Sequence, residues 1–325
     1  MRIVITGSIA YDYIMTFPGK FRDHILPEKL DSLALSFLVE SMTKQRGGVA
    51  PNIAYTLALL GGRPAVLATA GQDFGEYREW LDRQGVDTTH IKIIPELFTA
   101  SFFAGTDKVN GQIALFYAGA MGRATEVSFR HLPYQPDFAM ISPDDPAAMN
   151  QHVRDCIALG IPYAYDVSWQ LARLSADEIR EGVLGCRMLA VNDYEMSLIA
   201  DKTGIEEADP ALADKIVVVT RGEKGATIYA EGQRHDIPVV PPRRIADPTG
   251  VGDAFRGGLL RGLAAGWRWD VAGRVASLAA TYCLEHVGPQ NHAYTRADFV
   301  RRYREHFDDG GALDQLVSTA SRGAD

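Results

Sequence analysis

The strongest constraint on how this chain can fold lies between residues 137 and 220. Four short runs there, 138–142, 162–166, 188–192 and 216–220, are apolar at successive positions, and helical stretches at 146–159, 175–184 and 193–202 separate them. A strand buried on both faces reads as a continuous apolar run, and parallel strands need a crossover that a helix supplies. The pattern therefore predicts an α/β fold with a mostly parallel sheet. Runs 2–6 and 64–71 extend it, the second followed by a helix over 74–84. Residues 99–104 and 112–117 read as a hairpin, 226–230 and 234–240 as antiparallel strands, and 253–265, 270–286 and 295–306 as helices. The 325 residues, 46% of them hydrophobic, suffice for one large α/β domain or two smaller ones. No repeat or linker divides them, so a single domain over 1–317 is expected, with a loose polar tail at 318–325. Residues 13–46 break the alternation; loops and short extended pieces are expected there, placed to cover a pocket.

Ligands of open α/β sheets bind at the carboxyl ends of the strands. Polar residues gather at those ends: Ser8 and Asp12 after the first strand, Asp166 with Gln170, Asn192-Asp193-Tyr194-Glu195, and Thr220-Arg221-Gly222-Glu223-Lys224-Gly225. Asp12 is a candidate ligand for a polar substrate or a turn-forming Asp. In Arg46-Gly47-Gly48-Val49-Ala50-Pro51-Asn52, glycines precede a helix of about three turns with Pro in its first turn. Asn52 either caps that turn or points its amide at a substrate hydroxyl. Phe102 and Phe116 either pack in the core or stack on a flat ring.

A second glycine-bearing stretch, Asp247-Pro248-Thr249-Gly250-Val251-Gly252-Asp253, runs into the apolar helix that follows. A helix start offers unpaired N–H groups and partial positive charge, and glycines let an anion approach them. Asp253 is then a candidate general base beside a phosphate held by the amides of Gly250, Val251 and Gly252. The helix terminus is expected to lower its pKa and make it a weak base.

Composition removes other readings. A net charge of −8 speaks against nucleic-acid or acidic-membrane partners. The three cysteines lack metal or disulfide spacing, and no run approaches the roughly 18 apolar residues of a membrane span, so a soluble cytoplasmic protein is the default expectation. GxxxxGK[ST], HExxH, GxSxG and a strand-borne GxGxxG are absent.

The two glycine stretches resemble the two signatures of the ribokinase-like (PfkB) family of sugar and nucleoside kinases. Asn192 to Glu195 is similar to the family's Asn-x-x-Glu element, and Thr220-Arg221-Gly222 to its nucleotide loop. Longer matches resemble the bacterial adenosine kinases within that family: Thr6-Gly7-Ser8-Ile9-Ala10 with Asp12, Leu35-Ser36-Phe37-Leu38-Val39, Phe116-Tyr117-Ala118-Gly119-Ala120-Met121 and Gln170-Leu171-Ala172-Arg173-Leu174-Ser175. Pro51 is a small departure, standing where a small or flexible residue is common.

The resemblance implies a three-layer α/β/α core with a small β-sheet lid over 13–46 and 97–119, paired between subunits in a homodimer. It implies ATP-dependent phosphorylation of the 5′-hydroxyl of adenosine, with Mg2+ as cofactor and a K+ site at Asp247. It assigns Asp12, Gly48 and Asn52 to the ribose, Ser8 and Ser36 to the nucleoside, Phe102 and Phe116 to the purine, and Gln170 and Arg173 to the pocket edge. Asn192, Glu195, Thr220, Gly222 and Gly225 go to ATP, with Glu195 also acting on Mg2+ from beyond its direct ligands. A same-family kinase for another nucleoside, ribose or fructose is the nearest alternative, followed by a ligand-sensing relative without catalysis.

Overall fold

In the computed structural model, which describes residues 1–25 and 34–318, every residue of β1 (Ile3–Thr6) is buried. Ile3 and Ile5 join one apolar cluster and Val4 another. Side chains alternate about a strand, so β1 is covered on both faces. The Ile3/Ile5 side is packed by α1 (Val49–Leu59), α2 (Gly75–Arg83), α6 (Val251–Ala265), α7 (Trp269–Leu284), α8 (Arg296–Arg304) and α9 (Asp314–Ser318), through Leu57, Leu81, Leu259, Val275, Phe299 and Leu316. The Val4 side is packed by α3 (Pro146–Leu159), α4 (Ala176–Gly185) and α5 (Asp193–Thr203), through Val153, Val183 and Ile199.

Between these layers lies a nine-stranded sheet. Its other members are β4 (Ala65–Gly71), β5 (Ile91–Ile94), β8 (Phe138–Ile141), β9 (Tyr163–Tyr165), β10 (Met188–Asn192), β11 (Ile216–Thr220), β12 (Ala226–Ala230) and β13 (Gln233–Ile237). The order is β13-β12-β11-β10-β9-β8-β1-β4-β5; β12 pairs antiparallel with both β11 and β13, and every other pair is parallel. A separate sheet of β2 (Ala10–Thr16), β3 (Ser41–Gly47), β6 (Ala100–Thr106) and β7 (Gln112–Tyr117) has the order β3-β2-β6-β7.

Residues 13–46 depart from the expected loops and short pieces, because β2 and β3 are seven-residue strands paired along their whole length. The β3 sequence Ser-Met-Thr-Lys-Gln-Arg-Gly has no apolar alternation to announce it, since this edge strand is mostly exposed. Short edge strand β5 was likewise unanticipated. Residues 34–39 have no regular structure, and Phe37 closes an aromatic group with Phe17 and Phe21 at 5.1 and 4.9 Å. Leu33 and the tail from 319 onward lie outside the described residues; Ser318 ends α9. Two side-chain-free positions in α6 bring the helices together. A Cβ on Gly257 would stand 2.7 Å from Ile53 O of α1, and one on Gly258 2.7 Å from Ala276 Cα of α7.

Candidate active site

Asp253 sits in the first turn of α6, whose N-cap Gly250 has φ +77°. A Cβ there would strike Pro289 at 2.3 Å, so the turn is open to glycine alone. Asp253 Oδ2 accepts from Asn52 Nδ2 at 2.8 Å, joining α6 to the first turn of α1. Of the three amides expected to face an anion, Val251 N donates instead to Pro248 O at 3.3 Å. Among the described residues no acceptor meets the amides of Gly250, Gly252 and Asp253, as helix starts leave them.

The expected lowering of the Asp253 pKa is overturned. Burial pushes the carboxyl up to about 6; Arg256 and the Asn52 hydrogen bond oppose the shift, and Glu195 adds to it. Desolvation outweighs the helix terminus because Asp253 is mostly enclosed. Arg256 is the ion-pair partner of buried Asp166: Nη2 donates to Oδ1 at 2.8 Å, Nε stands 2.8 Å from Oδ2, and Nη1 stands 4.0 Å from Asp253 Oδ1.

Asp12 reaches the same region from β2. Burial, and then the Asp247 charge, push its carboxyl up to about 6. The registers Asp12↔Gln45, Asp12↔Phe102 and Phe102↔Phe116 align these four side chains across one face of the small sheet. Phe102 and Phe116 therefore make one wall rather than two jaws. Trp169 lies across from Phe116, with ring centroids 6.3 Å apart and planes at 68°. Gln45 Oε1 accepts from Asn291 Nδ2 at 2.9 Å, tying this face to the main body.

Gly48 is held by close approach: φ is +93°, and a Cβ would meet Ser8 O at 2.5 Å. Buried Ser8 accepts from Val49 N through its hydroxyl at 3.3 Å, which caps α1. Gln170 is wholly buried rather than at an edge; its Nε2 donates to Asp144 O, and its Oε1 has no protein partner. Arg173 and Ser36 are exposed. Asp247 accepts from Thr249 N and Gly288 N, both at 2.9 Å, and so braces the loop before α6.

At the other end of the strand edge, Asn192 and Glu195 form a capping box on α5. Asn192 Oδ1 accepts from Glu195 N at 2.7 Å and Glu195 Oε2 accepts from Asn192 N at 2.8 Å, which leaves Oε1 unused by the cap. Thr220 pairs in register with Asn192, and Gly222 and Gly225 shape the turn into β12 with φ +56° and +85°. Ser8, Asp12, Gly48 and Asn52 thus lie by β1 and the residues expected at ATP by β10 and β11, with Gln170 and Arg173 after β9 between them.

Residues 7–296 match the model of the pfkB family of carbohydrate kinases. The chain belongs to that family. A nucleoside kinase of Burkholderia thailandensis, solved in complex with inosine, is 38% identical and superposes with a TM-score of 0.84 over 94% of this chain and 97% of that one. The same enzyme in complex with ADP-inosine superposes at 0.81 with 39% identity, covering 94% and 96%. A nucleoside kinase of Methanothermobacter thermautotrophicus is 28% identical over 311 residues, 93% of this chain and 95% of that protein.

In this PfkB-family kinase, sequence reading passed over Arg256, Asp166 as its partner, Trp169, Tyr77 and Gln290. Arg256 stands three residues after Asp253, a spacing that brings side chains together on a helix, so a signal existed. Trp169 lies in a single short 3-10 turn and Gln290 in a loop, neither with a periodic pattern, and they gave none. Among the described residues no three His, Cys, Asp or Glu side chains are grouped to hold a metal ion. No helix among the described residues is long and apolar enough to cross a membrane.

Proposed function

We propose that this kinase transfers the γ-phosphoryl group of ATP to the 5′-hydroxyl of a purine nucleoside, with adenosine as substrate. The observation that carries the reading is Asp253: a mostly enclosed carboxyl raised to about 6, oriented by Asn52, beside amides without acceptors. A base of that pKa is largely ionised at neutral pH and more basic than an exposed carboxylate. The nucleoside O5′ attacks the γ-phosphorus, the bond to the β-bridging oxygen breaks, ADP leaves, and Asp253 takes the hydroxyl proton. The Gly250, Gly252 and Asp253 amides stabilise charge on the moving phosphoryl oxygens. Asp12 and the remaining Asn52 N–H bind the ribose diol, with Gly48 and Ser8 shaping its floor and Ser36 nearby on the lid segment. Phe102, Phe116 and Trp169 enclose the base, Gln170 lies beneath it and Arg173 at the rim. Asn192, Glu195, Thr220, Gly222 and Gly225 border the ATP, and Asp247 braces the K+ loop. Mg2+ on the nucleotide would neutralise phosphate charge, with Glu195 reaching it through water.

The long matches around Ser36, Phe116 and Gln170 support adenosine. Inosine is a second reading, favoured by the inosine-bound relative at 38% identity. We also infer a homodimer through the small sheet, which excludes water when closed over the nucleoside. The deciding experiment gives the purified protein ATP, Mg2+ and a panel of adenosine, inosine, guanosine, cytidine, ribose and fructose. Adenosine is expected to have the highest kcat/KM and to yield AMP. Preference for inosine selects the second reading, and preference for a free sugar refutes both.

A further inference from the structure

Beneath the site runs a continuous chain of polar groups, two of which, Tyr77 and Gln290, the chemistry above leaves unused. The Tyr77 hydroxyl, on α2, donates to Gly47 O at 2.9 Å, at the end of β3. Gln290 Nε2 donates both to the Tyr77 hydroxyl at 2.5 Å and to Asn52 Oδ1 at 2.6 Å. Asn52 Nδ2 then donates to Asp253 Oδ2 at 2.8 Å. Tyr77 and Gln290 are only 1% and 2% exposed, so bulk water does not replace these bonds.

The chain has a fixed direction. A peptide carbonyl only accepts, so Tyr77 spends its one proton on Gly47 and its oxygen must accept from Gln290. Gln290 therefore turns its nitrogen toward Tyr77 and Asn52. Asn52 must then offer its oxygen to Gln290 and its nitrogen to Asp253. An amide is nearly symmetric in shape, and Gln290 holds Asn52 from one side in the same orientation that an ionised Asp253 favours from the other. Inverted, it would set an oxygen against the Asp253 carboxylate.

We propose that Gln290 and Tyr77 are positioning residues, which hold the Asn52 amide with its N–H on Asp253 and thereby keep the base oriented for the nucleoside hydroxyl. The proposal rests on the reading of Asp253 as that base. It also ties the base to the small sheet, because Gly47 is the last residue of β3. The charged or titratable groups facing Asp253 are Arg256 on α6, Glu195 at the start of α5, Asp166 after β9 and Cys283 on α7; none of them bonds Gln290. Removing the amide changes only the last donor on the carboxylate.

The test reads Asp253 without substrate. The stability difference between the protein and its Asp253→Asn derivative, followed by urea unfolding against pH, inflects at the folded pKa of Asp253. In the Gln290→Met background, neutral and similar in volume, that inflection is expected to move up by about half a unit or more, because an organised donor is lost. The acid limb of kcat/KM for the preferred nucleoside should move with it. Tyr77→Phe keeps the ring, is expected to shift the inflection in the same direction, and carries the test should Gln290→Met not fold. An inflection unmoved in the folded variants overturns the proposal and leaves the network a mere filler of buried hydrogen-bonding capacity. If the inflection moves while no nucleoside is phosphorylated, the positioning stands and the functional reading fails.

Discussion

Burial sets the character of both Asp253 and Asp12, whose carboxyls are each pushed up to about 6. A carboxyl raised in the folded state favours folding fully below its unfolded pKa, near 4, and that contribution is lost as pH rises through about 6. Asp253→Asn should therefore stabilise the protein by about 3 kcal/mol at pH 8 and by almost nothing below pH 4, read from urea midpoints. The same variant should lose about a hundredfold or more in turnover. Stability and activity moving in opposite directions is the mark of a group kept for chemistry. With two such groups in the free enzyme, log kcat/KM should fall below pH 6 with a slope approaching two per unit; a slope of one at all acid pH values would remove Asp12 or Asp253 from the site. Sequence made both carboxylates visible, since each follows a glycine turn at a strand or helix end. It misjudged the Asp253 pKa because a helix terminus is written in the local sequence, whereas enclosure beside Asn52 and Glu195 comes from distant parts of the chain.

The element that couples fold to site is α1. Its N-cap Gly48 lies so near the β1–β2 connection that a Cβ would stand 2.5 Å from Ser8 O and 2.6 Å from Ala10 N. Both obstacles are backbone, so a side chain cannot be accommodated by a rotamer change. Gly48→Ala combines that clash with a φ of +93°, and is expected to cost about 3 kcal/mol in urea unfolding. Since the first turn of α1 would have to withdraw, Asn52 would leave Asp253, and kcat should fall by more than the folded fraction explains. A variant of parent stability would show that the turn adapts freely. The helix itself was legible: glycines before it, Pro51 in its first turn and Gly61-Gly62 after it are local signals. β2 and β3 were not, since their pairing is set by contact with β6 and by exposure, and polar β3 carries no period-2 pattern. Gln290 was equally hidden, as a loop amide after Gly288-Pro289 whose importance depends on α1 and α2 arriving beside it.

At the scale of the molecule, the two faces of the small sheet differ in a way that bears on assembly. Asp12, Phe102 and Phe116 share the face tied to the main body through Gln45, whereas Tyr13, Phe103 and Leu115, paired in register, share the other, which is covered by the main core at Tyr13 and turns outward beyond it. Met42 and Ile113 belong to that outward face as well, by the registers Met15↔Met42 and Gly105↔Ile113. Leu115 is 71% exposed and Met42 61%, and every residue of edge strand β7 is open to solvent. A grouped apolar surface on an edge-exposing sheet is a liability for a lone subunit and an asset for a paired one. The proposed homodimer would bury it, and a point-symmetric pairing would place each Leu115 near the shared axis or opposite another apolar side chain. Leu115→Glu should therefore give a monomer by sedimentation velocity at concentrations where the parent is a dimer, with unchanged thermal unfolding of the nine-stranded core. Because the same strands carry Phe102 and Phe116 on their inner face, loosening the pair should raise KM for the nucleoside several-fold while kcat stays within about twofold. A parent protein that sediments as a monomer at micromolar concentration would remove the dimer, and with it the link between assembly and nucleoside affinity.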